Sequence, residues 1–498
     1  MTLRHTFLGM AMAVWAGSAL AAPQHVLLAE RPQPRGKIVS AAPADRLASV
    51  APAERLASMV EKSRVSGQSA AILIDMDSGT VLAEFQPDRL MPPASVTKVP
   101  TTLFALDQLG SDFRFVTRVL ATGPVVGGRV QGDLVLVGGG DPALDSDDLA
   151  AMIKTMRGNG ISGVTGRFLY LANGLPNLRE IDAGQPVNAS YNPGISGLNL
   201  NFNRVYFEWK PEDDRMDLSL QARAHVNSPL VQGISVAATD RSGPIYQYAQ
   251  KGGADSWSIA AGALKKAGGV WLPVRTPASY VAEVFRTLAL ENGLKLPVPR
   301  ETGSRPDGTE LARVTRRELK LVSRGMLHFS TNITAEVLGL TASRQRSLVA
   351  SGQAMTSWLA TNFGVRDARF RDHSGLGDDN RISARAMAQV VATAGSRGTL
   401  DGILRRYFVP NPGSKTPVAE DIEVRAKTGT LNFVRGLSGI IHGRKGRKLA
   451  FAIFSADLDA RSKVDGTVQR PPGTKTFNRR AVGLEQAILA EWIKRFAI

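Results

Sequence analysis

The sequence contains no cysteine, which excludes disulfides, thiolate nucleophiles and metal sites built on sulfur. Its six histidines form no His-Glu-x-x-His or comparable pattern, so we predict no metal site. Beyond the first residues the chain has no run of 18 consecutive apolar residues, and a membrane-spanning helix is therefore not expected. The 498 residues, 43% of them hydrophobic, are enough for two or three domains stabilised by their own cores.

The N-terminal segment has the features of a secretory signal peptide over residues 1–21. A short basic region precedes an apolar run over residues 7–16, and Ala19-Leu20-Ala21 fits a small-x-small cleavage site. We therefore expect a periplasmic or otherwise secreted protein, with a membrane anchor as the alternative. The following residues, 22–49, are rich in Ala and Pro and are predicted to form a linker.

Acidic residues are fewer than basic ones, 44 against 61, and the formal net charge is +17. A surplus of this size favours anionic partners. An exported protein rarely meets nucleic acid, so we predict no nucleic-acid binding. Peripheral contact with an anionic cell wall or membrane surface is one interpretation of the charge, and simple solubility is the other.

The order of secondary-structure signals predicts an α+β protein with a large insertion. Strand-like runs and a helix over 94–110 come first, and short β-like runs separated by Gly, Asn and Asp turns follow from about residue 121. Helical periodicity dominates again from residue 316 to about 362. Two strong strands and a terminal helix over 481–496 close the chain.

Ser95-Val96-Thr97-Lys98 is the only Ser-x-x-Lys sequence in the chain. On a helix, residues at this spacing share one face. A serine hydroxyl needs a base beside it to act as a nucleophile, and Lys98 can be that base only when neutral. Its pKa would have to be lowered by burial or by a second cation. Taken alone, the spacing also fits an ordinary exposed helix.

Lys427-Thr428-Gly429 lies in the predicted strand over 423–430. A lysine on an edge strand could supply the second cation and bind an anionic group of a substrate. Gly429 would let a substrate backbone come close. The alternative is that Lys427 only protects the edge of the sheet.

Ser330-Thr331-Asn332 supplies a hydroxyl that can pass a proton and an amide that can hold a carbonyl. A second sequence of the same type, Ser190-Tyr191-Asn192, lies in a stretch rich in Pro and Gly. We favour Ser330, because it lies in the returning helical part and precedes Lys427 by about one hundred residues.

The three motifs in this order resemble those of the penicillin-recognising serine enzymes. The long insertion between the first and second motifs narrows the resemblance to class C low-molecular-mass penicillin-binding proteins, the D-alanyl-D-alanine carboxypeptidase/endopeptidase family. Further stretches that look like this family are Gly132-Asp133-Leu134, Gly139-Gly140-Asp141-Pro142, Ser196-Gly197-Leu198-Asn199-Leu200-Asn201, Asp372-His373-Ser374-Gly375-Leu376 and the Lys-Thr-Gly-Thr-Leu sequence that begins at Lys427.

The resemblance implies catalytic roles for three side chains. Ser95 attacks the carbonyl of the penultimate D-alanine, Lys98 takes its proton, and Ser330 helps to pass that proton to the leaving amine. The backbone N–H groups of Ser95 and Thr430 form the oxyanion hole. No cofactor is implied.

It also implies a substrate-binding set. Asn332 holds the acyl side of the substrate, and Lys427 with the hydroxyls of Thr428 and Thr430 meets the terminal carboxylate. Thr428 and Thr430 share one face of an ideal strand, whereas Lys427 and Gly429 point to the other. The three side chains can converge only if the strand twists or Lys427 reaches around its edge.

The implied fold is a transpeptidase/β-lactamase-like domain, an antiparallel sheet with helices, over residues 50–120 and 310–498. An inserted domain over 121–199 and 271–309 would interrupt it, with a third domain nested at 200–270. The implied activity is hydrolysis of peptidoglycan stem peptides through an acyl-enzyme, with β-lactam antibiotics as covalent inhibitors. Endopeptidase activity stays open beside carboxypeptidase activity, and the alternatives are a β-lactamase-type hydrolase and an inactive cell-wall-binding scaffold.

Overall fold

The computed structural model describes residues 50–497 with gaps at positions 214, 316, 401 and 467, and side chains from residue 54 onward. The predicted signal peptide over 1–21 and linker over 22–49 lie outside the described residues. Within the part of the chain that is described, no helix is both long enough and apolar enough to cross a bilayer.

The helices and strands are numbered here in chain order. The helices are α1 (Val50–Ser63), α2 (Lys98–Leu109), α3 (Ser146–Gly158), α4 (Pro277–Glu291), α5 (Leu319–Phe329), α6 (Asn332–Ser343), α7 (Leu348–Phe363), α8 (Ala384–Ser396), α9 (Leu458–Ser462) and α10 (Thr474–Trp492). The strands are β1 (Gln68–Asp75), β2 (Val81–Phe85), β3 (Leu90–Met91), β4 (Val116–Ala121), β5 (Val125–Val126), β6 (Arg129–Val130), β7 (Leu134–Val137), β8 (Gly163–Val164), β9 (Phe168–Leu171), β10 (Arg204–Glu212), β11 (Arg215–Gln221), β12 (Ser235–Thr239), β13 (Tyr246–Lys251), β14 (Ala254–Ala260), β15 (Gly268–Pro273), β16 (Pro299–Glu301), β17 (Thr309–Thr315), β18 (Ile382–Ser383), β19 (Arg405–Arg406), β20 (Glu423–Leu431), β21 (Val434–His442) and β22 (Lys448–Ala456).

The main sheet joins the two ends of the described chain. Its order is β19-β20-β21-β22-β1-β2, and every neighbouring pair is antiparallel. β1 and β22 are almost continuously buried, because both faces of the sheet are covered. The strand that carries Lys427, β20, is paired along its whole length with β21 on one side.

Helices cover both faces of this sheet. On one face, Leu56 of α1 and Leu484, Ile488 and Trp492 of α10 pack with Phe451 of β22 in one buried cluster. The apolar face of the predicted terminal helix is therefore used inside the protein. On the other face lies α8, followed by the helices α2, α5, α6 and α7, whose buried residues form a second core.

The sequence between the first and second motifs is β-rich, as predicted. A five-stranded sheet of order β16-β9-β7-β4-β17 packs with α3 and α4, and smaller three-stranded sheets flank it. The neighbouring strands β4 and β17 contain the predicted domain boundaries at residues 120 and 310, so each strand runs across one of them. The division into three domains stays a prediction, whereas the α+β arrangement agrees with the predicted class.

Candidate active site

Ser95 lies in a short 3-10 turn over Ala94–Thr97, and α2 begins only at Lys98. The expected single helix over 94–110 is therefore wrong in its first turn. Two physical reasons are visible. Ala94 has a positive φ of 48°, and Pro100 has no N–H with which to bond the carbonyl of Val96 in the α-helical pattern. The turn nevertheless leaves Ser95 and Lys98 side by side.

The amine of Lys98 is completely buried and has three oxygen neighbours. Nζ lies 2.9 Å from Ser95 Oγ, 2.8 Å from Asn332 Oδ1 and 2.7 Å from the backbone carbonyl of Ser374. A neutral amine has two N–H groups and one lone pair. The two carbonyl oxygens can accept the N–H groups, which leaves the lone pair for the hydroxyl hydrogen of Ser95. Burial lowers the pKa of Lys98 to about 7.

Two buried carboxyl groups hold the loop that surrounds Lys98. Glu336 accepts the backbone N–H groups of His373 and Ser374 at 3.0 and 2.8 Å. Asp372 accepts those of Gly375 and Gly377, both at 2.7 Å. Burial raises the pKa of both carboxyls, and their mutual repulsion adds to this for Glu336; their negative charge in turn opposes the lowering of the Lys98 pKa.

Glu336 was not among the predicted site residues, although the sequence carries a signal for it. Glu336 is the only charged residue in α6, which is otherwise apolar or small, and it lies four residues after Asn332 on the same helix. A lone acid in an apolar helix indicates a buried partner. The loop at Asp372 had been singled out by the resemblance, but its contribution through the Ser374 carbonyl has no sequence signature.

Ser330 and Asn332 lie at the break between α5 and α6. Ser330 ends α5 in the left-handed conformation, with φ 58°, and α6 begins at Asn332. Ser330 Oγ accepts a hydrogen bond from Lys427 Nζ at 3.0 Å, while Asn332 Oδ1 accepts one from Lys98. The break therefore brings one side chain of the motif to each of the two lysines.

The alternative motif, Ser190-Tyr191-Asn192, contacts the same site through its backbone. The carbonyl of Tyr191 accepts a hydrogen bond from Asn332 Nδ2 at 2.9 Å. Asn192 is buried and shapes its own loop, since its Oδ1 accepts the backbone N–H groups of Ile181 and Asp182 at 2.9 Å. The structure thus places the side chain of Ser330, rather than that of Ser190, on Lys427.

Lys427 is buried on β20, and its amine does not point straight out of the strand. Nζ bends back to the carbonyl of Thr428 at 2.6 Å and reaches Ser330 Oγ. In an ideal strand Lys427 points away from Thr428 and Thr430, and it can converge with them only if the strand twists or the side chain reaches around the edge. The bend is of the second kind, because it brings the amine beside the backbone of the strand. Burial lowers the pKa of Lys427, and the positive charge of Lys98 and of nearby arginines lowers it further.

Gly429 allows a close approach between two parts of the protein backbone. A Cβ at this position would lie 2.6 Å from the carbonyl oxygen of Pro93 and 3.0 Å from the backbone nitrogen of Ser95. The missing side chain therefore lets the turn that carries Ser95 approach the strand. As a result, the N–H of Ser95 lies close to the backbone of β20. The close approach of a substrate backbone at Gly429 stays a prediction.

Thr428 and Thr430 lie on the other face of β20, half-buried and exposed respectively. Thr430 Oγ1 accepts a hydrogen bond from Arg435 Nη1 at 2.6 Å. Arg435 lies opposite Thr430 on β21. This arginine was not predicted as a site residue, because it belongs to none of the three motifs.

The chain is similar to known proteins over most of its length. The family model described as the D-Ala-D-Ala carboxypeptidase 3 (S13) family matches residues 52–471. A D-alanyl-D-alanine carboxypeptidase from Actinomadura sp. (strain R39) is 27% identical over 432 residues, which cover 78% of this chain and 77% of that relative. The D-alanyl-D-alanine carboxypeptidase DacB from Haemophilus influenzae is 23% identical, with 79% of this chain and 88% of the relative covered.

The crystal structure of penicillin binding protein 4 (dacB) from Haemophilus influenzae has the same fold. The TM-score is 0.69 at 20% sequence identity, and the match covers 86% of this chain and 98% of that one. The predicted penicillin-binding-protein fold is thereby confirmed. Since the family match spans most of the chain and all three motifs, the protein belongs to the D-Ala-D-Ala carboxypeptidase 3 (S13) family.

Proposed function

We propose that the protein is a serine D-alanyl-D-alanine carboxypeptidase that cleaves peptidoglycan stem peptides through an acyl-enzyme on Ser95. The observation that carries the proposal is the contact between Ser95 Oγ and Lys98 Nζ, 2.9 Å long, in which the amine is buried and its pKa is lowered to about 7. A buried amine whose pKa lies near neutral pH is a suitable general base.

In the acylation step, Ser95 Oγ attacks the carbonyl carbon of the penultimate D-alanine, and its proton passes to Lys98 Nζ. The substrate oxygen then carries the negative charge, which the N–H groups of Ser95 and Thr430 stabilise. The close approach of Ser95 to the backbone at Gly429 supports this pairing of donors. Each such donor contributes about 3–4 kcal/mol to the transition state.

The proton then has to reach the nitrogen of the leaving D-alanine. Ser330 is suited to this task, because its hydroxyl contacts Lys427 while Asn332, two residues on, contacts Lys98. The C–N bond breaks as the amine accepts the proton, and the acyl group stays on Ser95 as an ester. Water, activated by Lys98 in the same way, then hydrolyses this ester.

The edge of β20 offers a place for the substrate backbone. β19 pairs with β20 only at Arg425 and Ala426, so the edge from Lys427 to Leu431 extends beyond it. An extended peptide can pair with such an edge through main-chain hydrogen bonds. Lys427, Thr428 and Thr430 would then bind the terminal carboxylate of the substrate.

Parallel alanine variants test the choice between the two Ser-x-Asn motifs. We expect Ser330→Ala to slow acylation by about 10²–10³-fold, because a positioned proton-transfer group is lost. Ser190→Ala should stay within about threefold of the wild-type rate, because its loop is held by Asn192 and by backbone contacts. The rate of labelling by a fluorescent penicillin measures both. The reverse pattern would assign the role to Ser190.

Carboxylate recognition is tested with a peptide that ends in D-Ala-D-Ala and with its C-terminal amide. The wild-type protein should prefer the free acid, and Lys427→Ala should lose about ten- to a hundredfold of that preference, since a charge-assisted contact is removed. Release of D-alanine or D-alanine amide is the measurement. Equal cleavage of acid and amide by the wild-type protein would instead favour an endopeptidase that recognises another part of the cross-link.

We further propose a periplasmic or otherwise secreted location and covalent inhibition by β-lactams. A β-lactam complex is known for the Haemophilus influenzae penicillin binding protein 4, which supports the second point. Incubation with a fluorescent penicillin followed by location of the labelled residue is the direct test of the function. Rapid turnover of penicillin would indicate a β-lactamase-type hydrolase, and neither labelling nor D-alanine release would indicate an inactive scaffold.

A further inference from the structure

Arg435 lies next to the proposed site without belonging to any of its motifs. It is the cross-strand neighbour of Thr430, and its Nη1 donates a hydrogen bond to Thr430 Oγ1 at 2.6 Å. Its charge also lies close enough to contribute to the lowered pKa of Lys427. The guanidinium is therefore near Thr430 and Lys427, two of the three residues that are proposed to meet the substrate carboxylate.

Glu485 of α10 fixes the position of this guanidinium. Arg435 Nε lies 3.0 Å from each carboxylate oxygen of Glu485, and the two side chains are only 12% and 1% exposed. A further hydrogen bond joins Arg435 to the hydroxyl of Tyr407. With one edge held by Glu485, the guanidinium cannot turn away from Thr430.

Stability alone does not account for this buried ion pair. Apolar residues of similar size in the same place are usually at least as stabilising, because both charges of an ion pair lose their hydration. Glu485 follows Leu484 and precedes Ile488 on the buried face of α10. The Glu485 carboxylate lies among these apolar side chains and positions Arg435, although its burial removes its hydration.

The hydrogen bond from Arg435 determines how the hydroxyl of Thr430 can bond to a ligand. A threonine hydroxyl has one hydrogen to donate and two lone pairs that accept. Because Arg435 always donates and occupies a lone pair of Oγ1, the hydroxyl hydrogen must point elsewhere. A carboxylate accepts hydrogen bonds only. Arg435 thus holds Thr430 as a donor to an incoming carboxylate.

We propose that Arg435, fixed by Glu485, is a positioning residue that gives the site its preference for substrates with a free terminal carboxylate. It acts through the hydroxyl of Thr430. This inference rests on the proposed carboxypeptidase function, and it adds to that function a specificity determinant outside the three motifs.

The test variant is the double substitution Arg435→Gln with Glu485→Gln, which removes both charges and leaves no unpaired buried ion. We expect its preference for a D-Ala-D-Ala acid over the amide to fall about tenfold, through a higher KM for the acid and with a smaller effect on the amide. Arg447→Gln with Asp75→Asn is the matched control. It removes another ion pair of the same sheet, at the far end of the strands, and should keep the wild-type preference.

The same double substitution in a Thr430→Val protein distinguishes a positioning role of Arg435 from a general effect of its charge. In Thr430→Val, which lacks the hydroxyl, the Arg435/Glu485 substitution should cause no further loss of acid preference, because the two residues act as one unit. An unchanged acid preference in the double variant would overturn the proposal, and so would a full further loss in the Thr430→Val background. Saturating penicillin should still label Ser95 completely in the variant. Absence of labelling and of D-alanine release in the wild-type protein would instead refute the carboxypeptidase function itself.

Discussion

Ser95→Ala is expected to abolish labelling by a fluorescent penicillin and to reduce D-alanine release by about 10⁴-fold or more. The reason is that no other hydroxyl is placed on Lys98 Nζ as Ser95 Oγ is, at 2.9 Å, among the side-chain contacts of the described residues. Removal of the proposed nucleophile leaves only binding and oxyanion stabilisation. Gel fluorescence and the mass of the intact protein measure the covalent adduct.

The fold should survive this change. The Ser95 side chain is half-buried and makes one contact with Lys98, so its loss costs about 1 kcal/mol and leaves the thermal midpoint within a few degrees of the wild-type value. Ser78→Ala, in the exposed turn between β1 and β2, is the control and should label normally. A folded Ser95→Ala protein that still forms the adduct would exclude Ser95 as the nucleophile.

Substitution of Lys98 is expected to have an effect of similar size. Lys98→Arg keeps a permanent positive charge and cannot accept a proton at any accessible pH, so acylation should fall about 10³-fold or more. Lys98→Met removes the charge and keeps most of the side-chain volume. It serves as a second test if the arginine variant does not fold. Acylation at the wild-type rate by either folded variant would show that Lys98 is not the base.

The pH dependence of acylation follows from the same amine. Below pH 7 Lys98 is increasingly protonated and has no lone pair for the Ser95 proton, so kcat/KM should rise with pH through about 7. Glu336 raises the pKa of Lys98, and its replacement by glutamine should therefore move this inflection to lower pH. An inflection that stays in place in Glu336→Gln, or moves upward, would contradict this electrostatic account.

Much of the fold follows from patterns that the sequence displays. The long apolar runs of β1 and β22 and the periodic apolar face of α10 are visible without a structure, because burial and periodicity coincide there. β21 was not predicted, since Arg435, Gly436, Ser438 and Gly439 interrupt its apolar pattern. Its burial is a consequence of lying in the middle of the sheet, between β20 and β22.

The contacts of the site likewise divide into those that the sequence predicts and those that only the folded chain reveals. Ser95, Lys98, Ser330 and Lys427 could be selected as candidates because they come in short motifs whose order along the chain resembles that of a known family; the spacing within any one motif was not enough. The carbonyls of Ser374 and Tyr191, which bond to Lys98 and Asn332, could not be selected, because every residue has a carbonyl and only the folded chain decides which one is near.

The pairing of β1 with β22 also determines at what stage of synthesis and folding the active site can form. Ser95 lies near the start of the described chain and Lys427 near its end. β1 pairs with the adjacent strand β2, but it finds its second partner, β22, only after most of the sequence has been made. Such distant pairings make folding slow. A growing or truncated chain that stops before β20 already contains Ser95 and Lys98 but lacks the strand against which the nucleophile rests. Reactivity would therefore arise in one late step, and shortened products should be inert toward both substrate and antibiotic.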